Sequence, residues 1–160
     1  MPNSAELPEE LRKFMPATSV QKREDFSSIN CVYKEIFEIM NVVITGANKG
    51  IGLAMATLYS ESGHHVFAVC RQASPELEAI GATVIDGIDV ADDAAVRKLA
   101  EVLSTTTIDI LINNAGVLSN QPLELLDFND IQQQINVNAL GPLRTSLALK
   151  PCLNQGSKVI

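Results

Sequence analysis

The apolar run Asn41–Val42–Val43–Ile44 passes directly into T-G-A-N-K-G-I-G, Thr45 to Gly52. That junction constrains the fold more than any other stretch of the chain. It reads as a buried parallel strand that ends in a glycine-rich turn and enters a helix near Gly50. Backbone amides at a helix start lack intrahelical acceptors, and the helix dipole adds partial positive charge. A pyrophosphate docks at such a place when no side chain blocks the backbone. Gly46, Gly50 and Gly52 allow the tight turn, the close approach and the close helix–strand contact. Ordinary turns are glycine-rich too, so the strand–turn–helix context carries the inference.

From Met40 onward, strand and helix patterns alternate. The strands are expected at Asn41–Thr45, His65–Cys70, Ala82–Ile85 and Ile108–Ile112, with a fifth beginning at Ser157–Ile160. Between them fall a helix over Gly50–Ser62, capped by Gly63, a short one over Pro75–Ile80, and another over Ala91–Leu103. Spacing places Ile51, Met55 and Leu58 on the inner face of the first, and Ala95, Leu99 and Val102 or Leu103 on that of the third. Asp127 is positioned to cap a long helix running through Leu149. Alternation of this kind predicts an α/β fold, a doubly wound parallel sheet of three αβα layers (the Rossmann architecture), incomplete after the start of strand five. Its ligand would sit at the carboxyl ends of the strands.

At 160 residues and 46% hydrophobic content the chain is long and apolar enough for one cored domain. Residues 1–39 differ: Pro2, Pro8 and Pro16 interrupt them and apolar residues are sparse until Ile29. They read as a mobile extension, with a docked or partner-binding segment as the alternative, and an upstream extension from a misassigned start codon also fits. No apolar stretch approaches the ~20 residues of a membrane span, and no signal or transit peptide is evident, so cytoplasm is the expected compartment. A net charge of −7 without a basic run disfavours nucleic acid and anionic membranes. Cys31, Cys70 and Cys152 are widely separated and read as buried or indifferent thiols. His64 and His65 open a strand, where neighbours face opposite ways, so no metal site is expected.

The glycine spacing is T-G-x-x-x-G-x-G, and it resembles the short-chain dehydrogenase/reductase family. Three further segments agree: Asn113-Asn114-Ala115-Gly116 after the fourth strand, Asp89-Val90 after the third, and Asn136-Val137-Asn138-Ala139-Leu140-Gly141. The resemblance covers Met40 to Ile160, and within the family it leans to the C-factor-like and carbonyl reductase branches. It implies a nicotinamide cofactor held by Gly46, Asn48, Lys49, Gly50, Ile51 and Gly52. It also implies adenine contacts from Asp89 and Val90, and a ribose wall of Asn114, Ala115 and Gly116. Asn113 would tie strands together instead, and Asp89 could equally cap the helix ahead of Ala91. At the end of strand two, where a carboxylate would select NAD, stand Cys70 and Arg71. With Lys49 they favour NADP, because a guanidinium pairs with phosphate in two-pronged fashion.

The family reaction exchanges hydride with a small carbonyl or alcohol, using a Ser, a Tyr and a Lys four residues after it. Neither Tyr33 nor Tyr59 has that lysine, and the serine's place follows strand five. Of the family's catalytic set only Asn138 is present. Pro142 deprives the Asn138 carbonyl of its helical partner, so the helix either bends there, exposing an acceptor, or restarts at the proline. The leading expectation is an NADP-dependent reductase, C-terminally truncated and incomplete or inactive as this chain, with a homo-oligomer left open. The alternatives are a non-catalytic nucleotide-binding or signalling protein of C-factor type, and a gene fragment without a stable fold.

Overall fold

In the computed structural model, residues 38–160 are described, and Ile39–Ile160 form one compact unit. The extension expected over residues 1–39 lies, up to residue 37, outside the described residues. Five parallel strands make one sheet in the order β3-β2-β1-β4-β5. They span Asn41–Thr45 (β1), His65–Val69 (β2), Thr83–Ile85 (β3), Ile108–Ile112 (β4) and Leu153–Val159 (β5). The helices are α1 (Gly50–Glu61), α2 (Pro75–Glu78), α3 (Asp93–Val102), α4 (Phe128–Ile135) and α5 (Gly141–Leu149).

The strands are apolar on both faces because both faces are covered. Val42 and Ile44 of β1 join Ala56 of α1 and Leu77 of α2 in one core cluster. Val43 and Leu111 point the other way, against Leu99 of α3 and Leu149 of α5. Pairing is in simple register at the centre, Val42 opposite Val66 on one side and Ile110 on the other. This is the doubly wound architecture that the alternation predicts.

Three expectations are corrected. On α1, Ile51 and Leu58 are exposed at 74% and 64%, while Gly52 and Ala56 are buried, with Leu53, Met55 and Tyr59 partly so. Close approach of α1 to the sheet selects small side chains for the contact, so the largest residues do not mark the inner face. On α3, Leu99 and Leu103 face inward as expected, but Val96 takes the inner place expected of Ala95, and Val102 is 53% exposed. Asp92, which accepts from the Ala94 amide at 2.7 Å, caps the helix and starts it at Asp93. Strand five begins at Leu153, not Ser157, because a register shift intervenes: Leu153 pairs with Ile108, and Lys158 with Ile110. Ser157 bridges that irregularity by donating its hydroxyl to the Ile108 carbonyl at 2.6 Å.

The long helix expected from Asp127 to Leu149 is present without a break, but not as uniform α-helix. Asp127 caps α4 through the Asn129 amide at 2.8 Å. The segment Asn136–Leu140 then widens into a π turn before α5. Pro142 stands in the first turn of α5, where its missing amide hydrogen costs least.

The α3 register gives a direct stability test. Leu99→Ala should cost about 2–5 kcal/mol in urea unfolding, whereas Val102→Ala should stay within about 0.5 kcal/mol. Equal losses would mean that α3 is rotated from the register described.

Candidate nucleotide-binding cleft

The site is built where β1 and β4 end side by side. Thr45, buried at the last position of β1, donates its hydroxyl to the Ile112 carbonyl at 3.4 Å and accepts from the Ala115 amide at 3.0 Å. Asn114 reaches back and donates to the carbonyls of Thr45 and Gly46 at 3.0 and 3.2 Å. Asn114 thus ties the end of β4 to that of β1 through its side chain. Asn113 ties β4 to β5 through its backbone, donating to the Ile160 carbonyl at 2.7 Å, while its side chain donates to the Ser146 hydroxyl at 3.4 Å.

The glycine turn is held against this junction. Gly46 has φ +68°, and a Cβ there would sit 2.8 Å from Ala115 Cα. At Gly52 a Cβ would overlap the Gly46 carbonyl, so the first turn of α1 lies directly on the loop. Ala47 donates to the Val69 carbonyl at 3.2 Å, and Ser74 donates to that of Asn48 at 2.9 Å. Lys49 occupies the N-cap of α1 without a capping side-chain bond, leaving first-turn amides open to the cleft. Gly50 would meet nothing within 4 Å even with a Cβ, so the loop's outer face is clear.

These elements enclose a cleft of about 340 Å³. Gly46, Asn48, Lys49, Gly50, Ile51 and Gly52 line one wall, and Arg71 stands at the end of β2. Asp89 and Val90 line the adjoining wall, and Asn114, Ala115 and Gly116 lie beneath. All twelve residues singled out from the sequence for cofactor contact thus border one space. Val69, Ile88, Val117 and Val137 border it too. Sequence pattern could not separate them from core residues, since each is an apolar residue on or beside a strand or helix; only Val117's place after the N-N-A-G motif hinted at its part.

Asp89 serves locally as well. Its Oδ1 accepts from the Ala91 amide at 2.9 Å, making a turn ahead of α3, while the capping of α3 falls to Asp92. Asn138 lies outside the cleft lining. Its side chain clasps the Val117 backbone, accepting from the amide and donating to the carbonyl, both at 2.8 Å. Cys70 is 2% exposed. Burial first, then the negative charge of Asp86, push its thiol pKa up, against a lowering by the backbone at Gln72. Lys49 and Arg71 are exposed, and neither has an ion-pair partner among the described residues.

An anion fits this cleft: first-turn amides of α1, a loop whose glycines leave its backbone approachable, and the cations Lys49 and Arg71 border it. Gly52→Ala should destabilise the chain by about 1–3 kcal/mol through overpacking against Gly46 and Asn114. Thermal and urea unfolding would measure the loss; an unchanged midpoint would contradict the close approach of α1.

Comparison with known proteins agrees with this geometry. The family model described as short chain dehydrogenase matches residues 40–160. The 1-hydroxy-2-glutathionyl-2-methyl-3-butene dehydrogenase of Rhodococcus sp. (strain AD45) is 38% identical over 120 residues, covering 74% of this chain and 53% of that protein. A carbonyl reductase from Pseudomonas aeruginosa PAO1 superposes with a TM-score of 0.69 at 34% identity, covering 76% of this chain and 60% of the other. The NADPH-bound carbonyl reductase from chicken fatty liver gives a TM-score of 0.63 at 25% identity, over 72% and 52% of the two chains. The chain spans about half the length of the curated relatives it matches.

Proposed function

The chain belongs to the short-chain dehydrogenase family of oxidoreductases, and from that premise we propose that its cleft binds NADP in preference to NAD for exchange of hydride with a small carbonyl compound. The observation that carries the preference is the pairing of Lys49 and Arg71 on the rim of the cleft with Cys70 at the end of β2. An NAD-preferring site places a carboxylate there, which would repel a 2′-phosphate. Cys70 offers no such charge at neutral pH, since its thiol is buried and its pKa raised. Lys49 and Arg71 would then face the phosphate with no carboxylate at position 70 to oppose them. The NADPH-bound carbonyl reductase among the solved relatives supports the same reading.

Each group of residues has a part in holding the dinucleotide. The loop from Gly46 to Gly52 and the open amides of α1 would take the pyrophosphate. Arg71 and Lys49 would take the 2′-phosphate. Asp89, whose Oδ1 is engaged by Ala91, keeps its second oxygen to accept from the adenine amino group, with Val90 against the ring. Asn114, Ala115 and Gly116 would back the ribose, on a floor already fixed by Thr45. When bound, the nicotinamide supplies or accepts the hydride. Asn138 orients the loop at Val117, which follows this floor.

Affinity should follow the two cations. NADPH should bind more tightly than NADH by fluorescence titration. Replacing Lys49 and Arg71 with Met should shrink the gap by about tenfold or more for each charge. Equal affinities in the parent protein would refute the preference.

Proton transfer is a separate matter. Tyr33 and Tyr59 are the chain's two tyrosines, and neither begins a Y-x-x-x-K. The 160-residue chain alone should therefore bind dinucleotide yet reduce aldehydes and ketones about 10²–10⁴-fold more slowly than a chain extended by a family-like segment carrying Ser, Tyr and Lys. NADPH oxidation over a panel of carbonyl compounds measures this. Full turnover by the 160-residue chain would place the proton donor elsewhere in it.

A further inference from the structure

The π turn between α4 and α5 is gripped at its first residue by Arg144. Arg144 donates from Nη1 to the Asn136 carbonyl at 3.2 Å and from Nη2 to Asn136 Oδ1 at 2.7 Å. Its Nε donates to Asp93 Oδ1 at 2.7 Å, the one ion pair among the described residues. The Arg144 side chain is three-quarters buried and its bonds to Asn136 are partly shielded, whereas the ion pair to Asp93 lies at the surface. It joins the first residue of the π turn to the first residue of α3.

What the turn carries makes the fork consequential. One extra residue in a turn swings the following helix by roughly 100° relative to an uninterrupted α-helix. With that rotation, Val137 lines the cleft and Asn138 reaches the Val117 backbone on one side. On the other, Gly141 lies so close to Val90 that a Cβ would come within 2.9 Å of Val90 Cγ2. Pro142 cannot return the hydrogen bond the Asn138 carbonyl would receive in an α-helix, which removes a competitor to the wider turn. Its missing amide makes the π turn permissible; it does not choose which backbone group the fork holds.

We propose that Arg144 is a positioning residue for the dinucleotide site: by binding Asn136 and Asp93 together, it fixes the π turn that seats both Asn138 on Val117 and Gly141 on Val90. One guanidinium thus sets the distance between the two ends of the cleft, the turn at Asp89-Val90 and the loop at Gly116-Val117. A planar five-donor fork can do this; an ammonium offers no such fixed geometry. The cofactor consequence rests on the dinucleotide reading above, whereas the structural one does not.

Residue-resolved amide hydrogen exchange on the full chain tests the clasp without any ligand. In Arg144→Met, the Val117 amide should exchange about tenfold faster, while core amides such as Val43 and Leu111 keep their rates. Arg144→Lys should restore only part of that protection. An unchanged Val117 rate, or equal acceleration of every amide, would overturn the proposal. If Arg144→Met does not fold, Asp93→Asn removes the ion pair from an exposed position and should speed Val117 in the same direction; no change there would overturn it equally. Titration with NADPH forms the second arm. Arg144→Met should weaken binding about fivefold. Adding Asn138→Ala should cost little more, because both act through one turn. Unaltered affinity would remove the cofactor role. A parent protein that binds neither NADPH nor NADH would refute the dinucleotide reading, and the exchange rates would still decide the place of Arg144.

Discussion

The junction of β1 and β4 is the constraint on which the rest of this structure depends. Two parallel strands end together, and each leaves backbone groups beyond its ladder that need partners in a dry place. Thr45 and Asn114 supply those partners reciprocally, one from each strand. The glycine loop then has a fixed base, and α1 can descend onto it only because Gly52 brings no side chain. One wall of the cleft is arranged around that knot. The open amides, Lys49 at the start of α1, and the floor at Ala115 and Gly116 take their positions from it, while Arg71 follows β2.

Stability and recognition therefore share residues here. A buried polar side chain that satisfies two strands is costly to lose, since its partners would be stranded. The same bonds leave the cleft face of the loop bare. The opposite wall is organised differently, by contacts around the π turn: Gly141 against Val90, and Arg144 across Asn136 and Asp93. One wall is set by strand ends and the other by a helix irregularity. A dinucleotide bridging them would sense both.

Much of this was legible in the sequence, and what was not has a physical cause. The parallel sheet could be read because strands buried on both faces are nearly continuous apolar runs, as at Val42–Ile44 and Ile108–Ile112. The cleft could be read because glycines, asparagines and an Asp-Val pair fall just after strands. The inner face of α1 was misread because Ile51 and Leu58 look like core by size, whereas contact distance selected Gly52 and Ala56. The α3 face slipped by one position at Ala95, because Ala95 and Val96 both fall within the 3- or 4-residue spacing from Leu99 and the larger side chain takes the core. The start of β5 was placed late because Asn154, Gln155 and Gly156 are polar or small, and a register shift is invisible to periodicity. Nor does any local pattern pair Arg144 with Asp93, which are 51 positions apart.

A crystal structure of the chain grown with NADP would test the central claim most directly. The account predicts the pyrophosphate over the amides at the start of α1, the 2′-phosphate between Lys49 and Arg71, and the adenine beside Asp89 and Val90. Dinucleotide bound away from the Gly46–Gly52 loop, or with its 2′-phosphate pointing clear of both cations, would contradict it.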